Sequence, residues 1–208
     1  MLFMRFFATF LYVVFIFATA NSKEFRIDFS DEGMKLLTKR GFGKKTIYTN
    51  DKDEKGWYLK AEADGTATGL GIEIDKKLLD EMPFLNISFK IEKDFESIDQ
   101  KTKGGHDWTA RVMLGHGKKI GSKLVSLAHS SFLEEGYIQQ SPWTKGSRDY
   151  VISNDKSGKW HTRKINVREL LEKTHGISFT NFIAIFSDSN NSKQKIIAYY
   201  RDIYFSSE

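Results

Sequence analysis

The sequence predicts an all-β fold: one antiparallel β-sandwich, most simply a jelly roll, with one short connecting helix near 167–175. Three observations carry this. Apolar and polar residues alternate with period two in nine segments, the signature of half-buried strands. Turn residues separate those segments at roughly ten-residue intervals, the rhythm of an all-β domain. A strong helical stripe occurs at a single place. An eight-stranded barrel is the alternative way to close such a set of strands.

Residues 1–20 differ in character from the rest. Arg5 supplies one positive charge, Phe6 to Phe17 is apolar almost throughout, and Ala18-Thr19-Ala20 puts small residues where a signal peptidase reads. That is the layout of a secretory signal peptide. About a dozen apolar residues is short for a spanning helix, which needs about 20. The expected domain organisation is a signal peptide at 1–20 and a single β-sandwich at 21–208, periplasmic or secreted from a bacterium. No stable membrane span is expected after cleavage.

Asp31 to Leu37 reads as a short helix. Trp57 to Ala63 is the first clear strand, with Trp57, Leu59, Ala61 and Ala63 inward, and Leu70 to Asp75 repeats the pattern. Asp64-Gly65 between them is a tight-hairpin signal, because both residues tolerate the positive φ of a type I′ turn. Phe84 to Glu92 puts Leu85, Ile87, Phe89 and Ile91 on one face. Trp108 to Gly115 follows, with Trp108, Ala110, Val112 and Leu114 inward and Asp107, Thr109 and Arg111 opposite. Further strands are expected at 124–132, 148–153, 159–166, 180–188 and 195–205, with Ile183 and Ile185 in the core. Between the third and fourth of these, Asn166 caps a helix, Glu169 closes a capping box, and Val167, Leu170 and Leu171 form its stripe. Gly176 stops it.

The 208 residues are 40% hydrophobic and 28% charged, which suits one globular domain with a sizeable core. Cysteine is absent, which excludes a disulfide framework, lipid attachment at cysteine and thiol catalysis. The net charge of +5 comes from scattered lysines, and the chain lacks the basic–aromatic interleaving used to stack on bases. Nucleic acid is therefore not an expected partner, whereas an anionic envelope polymer is compatible with the charge. No G-x-S-x-G, H-E-x-x-H or P-loop is present, and the glycine-rich 115–121 reads as a loop. Asp51, Asp53, Gly56 and Glu62 fit four positions of a calcium loop, but Lys55 occupies a ligand position and the flanks are strand-like.

Four places remain as candidate binding positions. Asp107 and Arg111 lie about 13 Å apart along an extended strand, so each needs a partner elsewhere. Ser187 to Ser192 packs hydroxyls, amides and Asp188 into one turn, where Asn190 and Asn191 could face a sugar or, with Asp188, a cation such as Ca²⁺. Trp143, after Pro142 in a polar segment, is a candidate for stacking on a sugar ring. In the last strand one of Arg201 and Asp202 must approach the core and take a partner. Asp107, Arg111, Asp188 and Asp202 are expected to gather at one edge of the sandwich.

Leu59 to Leu70, Pro83-Phe84-Leu85, His106 to Val112, Gly158 to His161, Ser187 to Ser192 and Ala198 to Phe205 occur in that order. This resembles the bacterial exported family known as domain of unknown function 3047, with its Asp-Asp-x-x-Ala-Arg-Val strand, Thr-Asp-Thr-Asp-Asn-Thr turn and closing Ala-Tyr-x-x-Asp-Ile segment. The likeness spans about residues 57–205. His106, Asn190 and Arg201 depart from that pattern, the first two by replacing an acid. The resemblance implies an exported sandwich similar to galactose-binding and carbohydrate-binding modules, and it implies no activity. Asp107, Arg111, Asp188, Asn191 and Asp202 are its matched positions.

The expected function is a non-catalytic exported module that binds a glycan or another envelope component, with no cofactor beyond the Ca²⁺ named above. The alternatives are a structural or adaptor protein of the envelope and a glycan hydrolase using paired carboxylates. The sequence leaves the oligomeric state open.

Overall fold

The computed structural model describes residues 24–41, 43–117 and 122–208. The expected signal peptide and residues 118–121 of the glycine-rich loop lie outside the described residues. In chain order the described elements begin with β1 (Glu24–Arg26), α1 (Asp31–Leu36), β2 (Thr38–Gly41), β3 (Ile47–Asp53), β4 (Gly56–Asp64) and β5 (Thr68–Glu73). Next come α2 (Leu78–Glu81), β6 (Phe84–Lys93), β7 (Trp108–His116), β8 (Lys123–His129) and β9 (Ile138–Gln140). The remainder are β10 (Ser147–Ser153), β11 (His161–Asn166), α3 (Val167–His175), β12 (Phe182–Asp188) and β13 (Lys195–Ser206).

Two sheets pack face to face as a β-sandwich. The six-stranded sheet runs β11-β6-β13-β4-β3, with β1 also paired to β13, and the seven-stranded sheet runs β2-β5-β12-β7-β8-β10-β9. Alternation places Leu59, Leu85, Ile87, Phe89 and Tyr200 of the first sheet against Val112, Leu114, Leu127, Ile183 and Ile185 of the second. Each large aliphatic side chain buried this way contributes roughly 1.5–3 kcal/mol over leaving it in water. Trp57 packs on the core only partly buried.

Helix α3 forms as its sequence demands. Asn166 Oδ1 accepts the Glu169 N–H at 3.1 Å, and Gly176 closes the helix at φ 65°. Val167, Leu170 and Leu171 point into the core. Helix α1 is likewise present, capped by Ser30.

Three expectations need correction. Asp64-Gly65 does not close a hairpin: Gly65 takes the positive φ of 62°, but β4 and β5 belong to different sheets. The turn carries the chain across the sandwich, and the hairpin here is β3–β4, with Asp53 opposite Gly56. The seven-stranded sheet is mixed, because β8 and β10 pair in parallel. Trp108 leaves the central core. The register of β7 against β12 slips between Phe186 and Asp188, giving β7 one extra residue, so Trp108 sits with Ala128 and Val151 in a separate cluster. A similar slip in β13 at Asp202, where φ is 47°, lets Ile203 and Phe205 share the buried face of Ala198 and Tyr200.

Candidate functional site

At the centre of the seven-stranded sheet, Ile183 and Ile185 face the core, which turns Phe182, Ala184 and Phe186 outward on β12. On β7 the residues opposite Phe186 and Ala184 are Arg111 and Met113. On the other flank they face Gly69 and Gly71 of β5. Neither glycine raises a side chain there, and a Cβ on Gly69 would overlap the Ile185 carbonyl oxygen and the Phe186 ring. The outer face is therefore low along β5 and β12, and a groove follows the strands.

One end of the groove is a cleft of 350 Å³ whose lining includes Met113, Phe186, Arg111, Trp143, Asn190 and Asn191. The other is a hollow of 280 Å³ that shares Met113 and Phe186 and adds Phe182, Asn181 and Glu73. From Phe182 to Asp188 the strand runs about 20 Å, which sets the length of the groove. Trp143, in the loop between β9 and β10, is 57% exposed and stands in the wall. Its backbone N–H donates to Ser141 Oγ at 3.2 Å, and the Lys103 ammonium lies 5.2 Å from its ring centroid. An apolar floor, one exposed indole and polar walls suit a ligand that is flat on its faces and hydroxylated at its edge.

The charged centre of the cleft is the Arg111–Asp188 pair, Nη2 to Oδ1 3.1 Å, with both side chains largely buried. The Arg111 guanidinium also lies 5.3 Å from the Phe186 ring centroid. Burial pushes the Asp188 carboxyl up to about 6; Arg111 opposes the rise and Asp107 adds to it.

Beneath this pair lies a structural network. Asp107 is fully buried and accepts the backbone N–H of Asn191 and of Ser192, the latter at 2.6 Å, and the Asn191 amide at 2.8 Å. The Asn191 amide also donates to the His106 carbonyl at 3.0 Å. The Ser187–Ser192 turn is thus folded around Asp107, whose two oxygens are taken up by those donors. His106, at a position where the family pattern has an acid, instead pairs with buried Asp149 at 2.7 Å.

The structure thus brings together Arg111, Trp143, Asp188, Asn190 and Asn191 at one cleft, with Asp107 supporting it from below. Asp202 is not part of the set. Its carboxylate accepts from Arg26 on β1 at 2.8 Å, in the other sheet. The bulge explains this, since it turns Asp202 outward and gives Arg201 an ion pair with Asp53. Sequence reasoning missed Phe186, Met113 and Gly69. An outward Phe at the position between Ile185 and Ser187 was the available signal. Among the described residues no group of three or more His, Asp or Glu is placed to hold a metal ion.

A second cleft, of 360 Å³, opens where β6, β8 and the β10–β11 loop meet, lined by Asp94, His129, Ser131 and Asp155 among others. Burial alone would raise Asp94, but donation from His129, Ser131 and Thr109 outweighs it and holds the carboxyl below the usual range. Ser131 and Asp94 both approach the same imidazole nitrogen, His129 Nε2, so the three cannot relay a proton from the serine through the ring to the carboxylate. Asp155, bound by Ser157 and paired with His161 at 2.8 Å, is likewise held low. Neither carboxyl is tuned as a general acid.

Fold and site together define a β-sandwich module with an open groove across the outer face of one sheet. The chain belongs to the family described as "Protein of unknown function (DUF3047)", whose model matches residues 36–204. No curated protein matches it. Among solved structures it is similar to the family 11 carbohydrate-binding module from Clostridium thermocellum in complex with a β-1,3-1,4-mixed-linked tetrasaccharide. That likeness has 11% identity and a TM-score of 0.49, over 90% of this chain and 96% of that one. It is also similar to the xyloglucanase domain of NopAA, a type three effector from Sinorhizobium fredii in complex with cellobiose. There the identity is 12% and the TM-score 0.44, over 91% of this chain and 99% of that one.

Proposed function

We propose that this protein is an exported, non-catalytic module that binds an extended glycan of the cell envelope or its surroundings in the groove of the seven-stranded sheet. The observation that carries the reading is Trp143, an exposed indole beside a floor of Phe186 and Met113 with Arg111, Asn190 and Asn191 within the same cleft. Aromatic faces take up the apolar faces of sugar rings, and the amides and guanidinium serve their hydroxyls. A groove about 20 Å long suits a polymer better than a small molecule.

Two features weigh against the alternatives. A glycan hydrolase needs two carboxyls facing each other across the cleft. The groove offers Glu73 in one hollow and Asp188 in the other, the latter occupied by Arg111. An adaptor needs a continuous apolar patch. The exposed large apolar residues Leu36, Ile47, Phe132, Ile138 and Trp143 belong to five different segments.

The test is affinity electrophoresis and calorimetry against a panel of soluble neutral and acidic polysaccharides. Wild type should bind at least one, and Trp143→Ala should weaken that binding by roughly 1–3 kcal/mol, the usual worth of a stacked ring, without changing the melting temperature. Binding indifferent to Trp143 would move the site elsewhere. For export, amino-terminal sequencing of secreted protein should read from Asn21, and retention of Met1 would contradict it.

A further inference from the structure

Resting on the reading of the groove as a glycan site, we propose that its ligand is an acidic polysaccharide, a polymer carrying carboxylates along the chain such as a polyuronate. The inference comes from a third hollow, of 340 Å³, that continues the groove past Ala67 and Asn190, residues it shares with the Trp143 cleft. Its remaining lining is Gly43, Lys44, Gly65 and Lys193, so it contains two ammonium groups and no carboxylate.

The lysines differ in how they are held. Lys193 sits at φ 61° in the turn after β12, its N–H donating to the Ser189 carbonyl at 2.8 Å. Its ammonium is bound to the Asn190 carbonyl. Gly65 lies beneath, where an added Cβ would come within 3.6 Å of the Lys193 stem. One charge is thus fixed at the mouth by backbone geometry, and Lys44, exposed, supplies a second. The nearest acid along the chain, Asp64, lies in register with Lys195 on β13.

The rest of the groove carries no net excess of either sign. Lys103 lies against the Trp143 ring, and Arg111 is paired with Asp188 in the cleft. Glu73 occupies the far hollow. A chain lying from the Trp143 cleft into the third hollow would therefore set one or more of its carboxylates beside Lys44 and Lys193. Its neutral ring faces would lie on Trp143 and Phe186. Opposite charge so placed favours both encounter and choice of partner.

The experiment uses polygalacturonate and alginate as acidic probes and hydroxyethylcellulose as the neutral one, with the full mature chain at low and high salt. Wild type should bind an acidic probe more tightly than the neutral one. That margin should shrink as salt screens the charges. Lys44→Gln/Lys193→Gln should lose roughly tenfold for the acidic probe, about 1.4 kcal/mol, and keep its melting temperature, since both side chains are exposed. Trp143→Ala should also weaken the acidic probe; acidic binding that survives it is general attraction to surface lysines and overturns the inference. Tighter binding of the neutral probe, or a double variant that keeps the acidic preference, overturns the inference while leaving the groove a glycan site. Failure of every probe to bind overturns both.

Discussion

At the level of single residues, Asp107, Arg111 and Asp188 look alike in the sequence, as lone charges on strands, yet the fold gives them separate tasks. Asp107 is consumed by the backbone of the Asn191–Ser192 turn, while Asp188 remains in the cleft with Arg111. Sequence alone showed that each needed a partner; it could not show that Asp107 would find its partner in main-chain N–H groups. Asp188 also makes stability depend on pH. Its folded value of about 6 exceeds the ordinary 3.8, so between pH 4 and 6 the folded state holds more protons than the unfolded one. Its contribution therefore falls as pH rises through that window and is level above it. The shift of about two units corresponds to a contribution on the order of 3 kcal/mol. Asp94 acts in the opposite sense, because its lowered value stabilises above the usual carboxylate range and is lost in acid. Comparison with Asp188→Asn isolates the first effect. In urea melts the variant should gain on wild type by up to about 3 kcal/mol between pH 4 and 7, and a constant gap would refute the assignment.

Elements were legible in proportion to how local their causes are. Helix α3 needed only its own cap, stripe and stop, and all three stand where the sequence put them. The Asp64-Gly65 turn took a positive φ at Gly65 alone and joined strands of different sheets, because turn residues specify local φ angles and not a neighbour. Strands β1, β2, β3 and β9 escaped notice because short or largely exposed edges carry little alternation. The bulges in β7 and β13 were illegible for another reason. Each moves the next residues to the opposite face, and strict alternation has no means of announcing a skipped step. Strand β5 yields a prediction at this scale. Gly69→Ala would push its methyl into the Ile185 carbonyl oxygen and the Phe186 ring, displacing the groove floor. Ligand binding should fall by about tenfold, with a stability loss of roughly 1–3 kcal/mol. Unchanged binding in calorimetry would show that the floor makes no contact.

For the whole molecule, β-sandwich and family were both readable from order and periodicity, and the groove was half readable. Residues on its rim announced themselves as polar clusters and a tryptophan in a loop. The floor did not, since Phe186 and Met113 resemble any other strand residues until their face is known. What holds the assembly together is β13, which pairs with β1, β4 and β6 and supplies Ala198, Tyr200, Ile203 and Phe205 to the core. A chain ending at residue 194 should show no cooperative melt, because β4 and β6 would face each other across an empty position. A sharp transition in that chain would contradict the central role given to β13.

That placement also governs when folding can happen. Among the described elements β13 is the last in chain order, and it pairs with β1, the first. A ribosome delivers β4 and β6 well before the strand that belongs between them, so neither the sheet nor the opposing core can close on a growing chain. The six-stranded sheet can therefore be completed only after nearly all of the described chain has been made. The same delay leaves two unpaired strand edges exposed on the growing chain. Until residue 206 has emerged, those edges are open to pairing with another chain.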